Sequence, residues 1–167
     1  AANVGVVNLF PASLFKSIDV EVNGHSVSDQ GSNNAHYKNY IETVISYGYD
    51  ARRGHLESAM FQMDSAGHFD SVDEDENLGF RDRRPRVDES RIFDWEIPLN
   101  SDFLRADRFL PPGVEINIKL SRSDDAFSIM APTPLAGAAR PRYKVEIIDL
   151  KLYVRMLQLH PGVEAYH

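Results

Sequence analysis

An acidic run is the clearest place in this chain where residue types and spacing suggest chemistry. Asp73, Asp75 and Asn77 stand at the first three ligand positions of a calcium-binding loop. The glycine that such a loop needs falls one place late, at Gly79, and the twelfth position holds Arg84 in place of glutamate. We therefore interpret the run as a solvated loop and assign no metal site to it.

The histidines and serines show no catalytic spacing either. Neither an HxH nor an HExxH pair occurs, and Ser65, although close to His68, lacks the G-x-S-x-G pattern of a nucleophile elbow. The histidines are His25, His36, His55, His68, His160 and His167. We interpret them as surface or partly buried residues, assign no catalytic, cofactor-binding or metal-ligating residue, and expect a protein without a cofactor and without enzyme activity.

Composition narrows the classes of partner. The 167 residues carry a formal net charge of −7, which repels phosphate backbones, so we expect no direct nucleic-acid binding. The basic cluster at 81–86 is interpreted as a solvated loop that balances the acidic run and attracts it weakly. The absence of cysteine excludes disulfides and thiol catalysis, and no run reaches the roughly 18 apolar residues of a membrane span.

The elements begin with a strand and a tight turn. Ile18, Val20 and Val22 alternate with polar residues, which is the period of a half-buried strand. Asn23-Gly24 follows and favours a type I′ hairpin, since both residues adopt positive φ readily.

A short amphipathic helix is predicted after the hairpin. Its apolar stripe comprises Tyr37, Tyr40, Ile41, Val44 and Ile45. Asn33 or Asn34 is expected to cap its start, and Gly48 to supply a left-handed residue at its end.

Alternating patterns return in the second half of the chain. They predict strands at 93–99, 114–120 and 127–129, and a long last strand at 143–157. The last pattern changes phase between Ile147 and Ile148, which requires a bulge, a bend or burial on both faces. Several strands with one convincing helix predict an all-β sandwich or barrel. The residues expected to be mostly buried are Ile18, Val20, Val22, Trp95, Ile97, Ile116, Ile118, Leu150 and Leu152.

Five segments in order resemble the first jelly roll of the double jelly-roll major capsid proteins of Maverick/Polinton elements and adintoviruses. They are VVNLFPASLFKSIDVEVNGHSVS, YKNYIETVISYGYDA, MDSAGHFDSVDEDENLGFRDR, SDFLRADRFLPPGVEINIKLSRSDDAFSIM and YKVEIIDLKLYVRMLQLHPGV. The resemblance implies one jelly-roll β-sandwich domain over residues 1–167 with one short helix. It further implies an incomplete first half of a double jelly roll, completed by strands before Ala1 and a second jelly roll after His167.

A member of that family is a structural protein. The resemblance implies self-assembly through trimeric, hexon-like capsomers into the icosahedral shell of a virus or virus-like mobile element, inside the host cell. The partners would be copies of the chain and other capsid proteins, reached through loops such as 50–91 and 131–142. Two alternatives stay open: a stand-alone β-sandwich that binds carbohydrate or a protein ligand, and an enzyme on a cupin-like jelly roll with a histidine–carboxylate metal cluster.

Overall fold

The predicted Asn-Gly hairpin forms the central strand and one edge strand of the larger of the two described sheets. The computed structural model describes residues 3–28, 33–133 and 142–158. Strand β2 spans Phe15–Val22 and returns through Asn23 and Gly24 into β3, His25–Ser26. The φ angles of Asn23 and Gly24 are 49° and 77°, so the turn has positive φ at both central residues, as predicted.

The two sheets are small and antiparallel. In the larger, β2 pairs with β4, Ile116–Arg122, on the side away from β3, giving the order β3-β2-β4. The register places Val20 opposite Ile118 and is irregular between Phe15 and Ser17. The smaller sheet pairs β1, Gly5–Val6, with β5, Ile129–Met130.

Helices outweigh strands, and the prediction of an all-β jelly-roll sandwich is therefore wrong: 28% of the described residues are helical, 15% lie in strands, and the described residues form no barrel. The helices are α1 Phe10–Ser13, α2 Ala35–Ser46, α3 Tyr49–Arg52, α4 Leu78–Arg83 and α5 Asp125–Ser128. Short 3₁₀ helices cover His55–Ala59, Arg84–Arg86 and Asp88–Ser90.

Two of the predicted strands are not strands in the described chain, and in a third, 127–129, Phe127 and Ser128 are helical and only Ile129 lies in a strand. Residues 93–99 and 143–158 run extended without ladder partners. Phe93, Trp95 and Ile97 nevertheless pack against the core. The alternation of apolar and polar residues in 93–99 therefore reflects side chains that point alternately toward and away from the core. An extended segment shows this alternation without hydrogen-bonded pairing to another strand.

Helix α2 forms where predicted, but its buried stripe differs from the prediction. Tyr40 and Val44 pack against the core, whereas Tyr37, Ile41 and Ile45 are exposed. No capping side-chain hydrogen bond from Asn34 is present, and Gly48 has φ −74°, outside the left-handed region. The helix ends at Tyr47, which is extended.

The core has two parts, one on each side of α1. Leu9, Ala12, Leu56, Ala59 and Phe61 form the first, and Val6, Phe10, Leu14 and Met60 form the second. Among the nine residues predicted to be buried, only Val20 is fully so. Five are half-buried (Ile18, Val22, Trp95, Ile97 and Ile118), and three are exposed (Ile116, Leu150 and Leu152).

Candidate assembly surfaces

The residues of the acidic run build local structure. Asp73 Oδ1 accepts a hydrogen bond from the backbone N–H of Asp75 at 2.9 Å, and Asn77 Oδ1 accepts one from Phe80 N–H at 3.1 Å, which caps α4. Glu74 pairs with Arg84, so the predicted attraction between the acidic and basic runs is confirmed. Asp73 Oδ1 and Asn77 Oδ1 are therefore engaged in a turn and a helix cap, and Glu74 in an ion pair.

The serine–histidine pair is not arranged as a nucleophile and its base. Ser65 Oγ accepts a hydrogen bond from Leu78 N–H at 3.1 Å, at the start of α4. His68 Nδ1 lies 3.5 Å from a carboxylate oxygen of Glu76, and both side chains are about half exposed. In the described ranges, no three histidine, aspartate or glutamate side chains are placed to hold a metal ion. His160 and His167, and loop residues 134–141, lie outside those ranges.

Arg83 is a structural residue that the sequence pattern did not reveal. Its side chain is fully buried, although the basic cluster was predicted to be solvated. The guanidinium donates to the carbonyls of Val6 at 3.0 Å and Gln62 at 2.9 Å, and to Asp64 Oδ1 at 2.7 Å. It therefore joins β1, α4 and the segment after the first 3₁₀ helix.

The most unusual surface is the extended segment at residues 143–158, here called the arm. Val145 and Ile147 pack against the second core, and Arg122 donates to the carbonyl of Val145. Beyond Ile147 the apolar side chains point into solvent, with exposed fractions from 51% to 90%. They are Ile148, Leu150, Leu152, Tyr153, Val154, Met156 and Leu157.

The backbone of the arm is also unpaired. Within the described residues, none of its N–H groups donates a hydrogen bond, and the segment belongs to neither sheet. Clustered exposed apolar side chains mark interaction surfaces, and an unpaired extended backbone can add to another chain by strand pairing. The arm thus combines both properties of an association segment.

A groove of about 760 Å³ forms the second candidate surface. Its walls are formed by α1, by α2, by α5 together with β5, and by the loop at 64–72. Three exposed aromatic side chains line it: Tyr37, Phe69 and Phe127. Tyr37 and Phe127 meet edge to face, with ring centroids 5.5 Å apart and an interplanar angle of 82°. The volume and the aromatic lining are typical of binding pockets.

The polar groups of the groove are few and distinct. His36 is 9% exposed, and burial lowers the pKa of its imidazole below 6.5, so the ring is neutral at neutral pH. Its Nδ1 has no hydrogen-bond partner in the described structure. Burial and the nearby Asp64 carboxylate both raise the pKa of the Tyr40 hydroxyl. Asp64, which pairs with Arg83, and Asp70 are the charged residues in the lining, so the uncompensated charge is that of Asp70.

Comparisons with known proteins gave no relative: no family model, no curated protein and no solved structure matches the chain. The family resemblance accordingly rests on the five sequence segments. Across the described residues, no helix combines the length and the apolar character that crossing a membrane requires.

Proposed function

We propose that this protein is a structural shell subunit that acts by self-association, as the resemblance to Maverick/Polinton and adintovirus major capsid proteins implies. The observation that carries the proposal is the arm, whose apolar side chains from Ile148 to Leu157 are exposed in the single chain. A subunit that works in an assembly requires such surfaces, because its partners cover them only after association. The proposal concerns function and does not depend on a jelly-roll sandwich.

The size of the exposed set supports this proposal. Scattered single apolar residues are normal on a protein surface, but a contiguous run is not. In the arm, Tyr153, Val154 and Met156 are 68% to 90% exposed and lie within four positions of one another. Burial of these side chains between copies would supply a non-polar driving force for association. Virion localisation and partnership with other capsid proteins belong to the same proposal.

The test is the oligomeric state of the purified chain. We expect analytical ultracentrifugation to show discrete oligomers that grow with protein concentration, and electron microscopy to show regular assemblies. The double variant Val154→Glu with Met156→Glu should shift the distribution to monomers, because it places two charges on the surface that association would bury.

A matched control separates association from general solubility. Ile92 is 77% exposed but lies outside the arm, so Ile92→Glu adds the same kind of charge elsewhere and should leave the oligomers unchanged. Far-UV circular dichroism should be the same for all variants, since the altered side chains pack little in the monomer. A wild-type chain that stays monomeric at every concentration tested, or oligomers unaffected by the arm substitutions, would contradict the proposal.

A further inference from the structure

We infer that the arm of one copy binds in the groove of a second copy, which makes the contact between subunits directional. The inference rests on the proposed self-association and names the two surfaces that meet. Both are present on each chain at different places: the exposed part of the arm, 148–157, and the groove between α1, α2 and α5. A contact between two different surfaces is heterologous, so each copy can receive one arm and donate another.

Geometry allows the arm to act between copies. Its root is fixed, because Val145 and Ile147 pack against the second core. Residues 148–157 are extended and, at about 3.3 Å per residue, reach roughly 30 Å from that root. Their apolar side chains are exposed, so the arm does not occupy the groove of its own chain in this structure.

Hydrogen-bonding capacity is complementary on the two surfaces. His36 is nine-tenths buried, and its Nδ1 lacks a partner in the described residues. A neutral imidazole nitrogen without its proton can accept a hydrogen bond from a backbone N–H. The arm offers backbone N–H donors that have no acceptor in the described chain. An extended arm in the groove would therefore satisfy an otherwise unpaired buried acceptor.

Charge is complementary as well. The charged groups that line the groove are the carboxylates of Asp64 and Asp70. Asp64 already pairs with Arg83, whereas Asp70 has no ion-pair partner in the part of the chain that the structure describes. In the arm, Lys151 pairs with Asp149 at 2.7 Å, while Arg155 pairs with no carboxylate among the described residues. Arg155 is therefore the arm cation that is free to meet Asp70 across the contact.

Cysteine cross-linking tests the contact directly, because the chain contains no native cysteine. We mix two single-cysteine variants of the full chain, Val154→Cys in the arm and Ala126→Cys at the groove, one of them with a size tag, and oxidise them. The expected product is the mixed disulfide dimer. Ala106→Cys, an exposed alanine outside the groove, is the control partner and should give little mixed dimer.

Two further variants measure the strength of the contact. Ala126→Trp should obstruct the groove and raise the dissociation constant of self-association by about tenfold or more, whereas Ala106→Trp should change it less than about twofold. Asp70→Arg and Arg155→Asp should each weaken association, and their combination in one chain should restore it.

The outcomes separate this inference from the proposed function. Oligomers that persist with no Val154–Ala126 cross-link, and with no effect of Ala126→Trp, would overturn the arm-in-groove contact but leave self-association standing. A link formed within one chain that carries both cysteines, with no mixed dimer, would also overturn it, because the arm would then bind its own groove. A chain that is monomeric under every condition would refute both.

Discussion

Removal of the Arg83 side chain should destabilise this protein more than any surface substitution. The guanidinium is fully buried and donates hydrogen bonds to three oxygens, which are the carbonyls of Val6 and Gln62 and the carboxylate of Asp64. Arg83→Ala leaves these acceptors without their donors. The Asp64 side chain is only 7% exposed, so water cannot fully replace the lost partner.

The expected loss follows from this geometry. Removing one partner of a buried ion pair costs about 3–5 kcal/mol, because the other charge stays buried and unpaired. A domain with a total stability of about 5–15 kcal/mol would lose a large part of it. For a chain of this length, each kcal/mol lowers Tm by about 2–4 °C, which gives a decrease of about 6–20 °C.

Urea unfolding measures the loss, with Trp95 fluorescence and far-UV circular dichroism as two probes. The matched control is Arg81→Ala, since Arg81 pairs with Asp82 on the surface and both side chains are half exposed. We expect that change to cost at most about 1 kcal/mol. Replacing both partners, as in Arg83→Met with Asp64→Leu, should restore part of the stability, because no charge is then left unpaired. Equal losses for Arg83→Ala and Arg81→Ala would refute the reasoning.

Two further substitutions test the packing and the groove. An alanine Cβ at Gly79 would lie 2.7 Å from the Met63 carbonyl oxygen, so Gly79→Ala should cost about 1–3 kcal/mol in urea unfolding. Gly48→Ala meets no atom within 4 Å and should cost nothing, and similar values for the two would contradict the model of this contact. Burial lowers the pKa of His36 in the folded protein below its ordinary value. As pH falls, the histidine is therefore protonated in the unfolded state before it is protonated in the folded state. The free energy of unfolding decreases over this interval, which ends at the pKa of the folded state. His36→Gln should therefore reduce the loss of stability between about pH 8 and pH 5 in urea unfolding, and an equal loss in the two proteins would contradict this.

Local sequence rules predicted the hairpin well because its determinants are local. The conformational preferences of Asn23 and Gly24 fix the turn, and the alternation of Ile18, Val20 and Val22 fixes the strand before it. Helix α2 was also predicted in place. The buried face of α2 was not predicted correctly, because the face that a helix buries depends on the elements that pack against it.

The environment of Arg83 was not predictable, for a different reason. Its partners Val6, Gln62 and Asp64 are brought together only by the complete fold. In sequence it is one of four arginines between 81 and 86, and the pattern treats them alike. The groove is likewise made by segments far apart in the chain, so no spacing of its residues could have indicated it. The solvated-loop interpretation failed most clearly at Arg83, whose donors match buried acceptors.

The change of phase in the last predicted strand coincides with a change in burial in the structure. The odd residues Val145 and Ile147 pack against the protein's own core, and from Ile148 onward the exposed apolar residues begin. A strand that packs against a core on one face only has no use for apolar side chains on its other face, because that face meets solvent. A segment whose first apolar residues pack within its own chain, and whose later apolar residues pack against another copy, would need apolar residues in both phases. The proposed arm-in-groove contact would account for the change of phase without a bulge, because it would give the segment two successive partners.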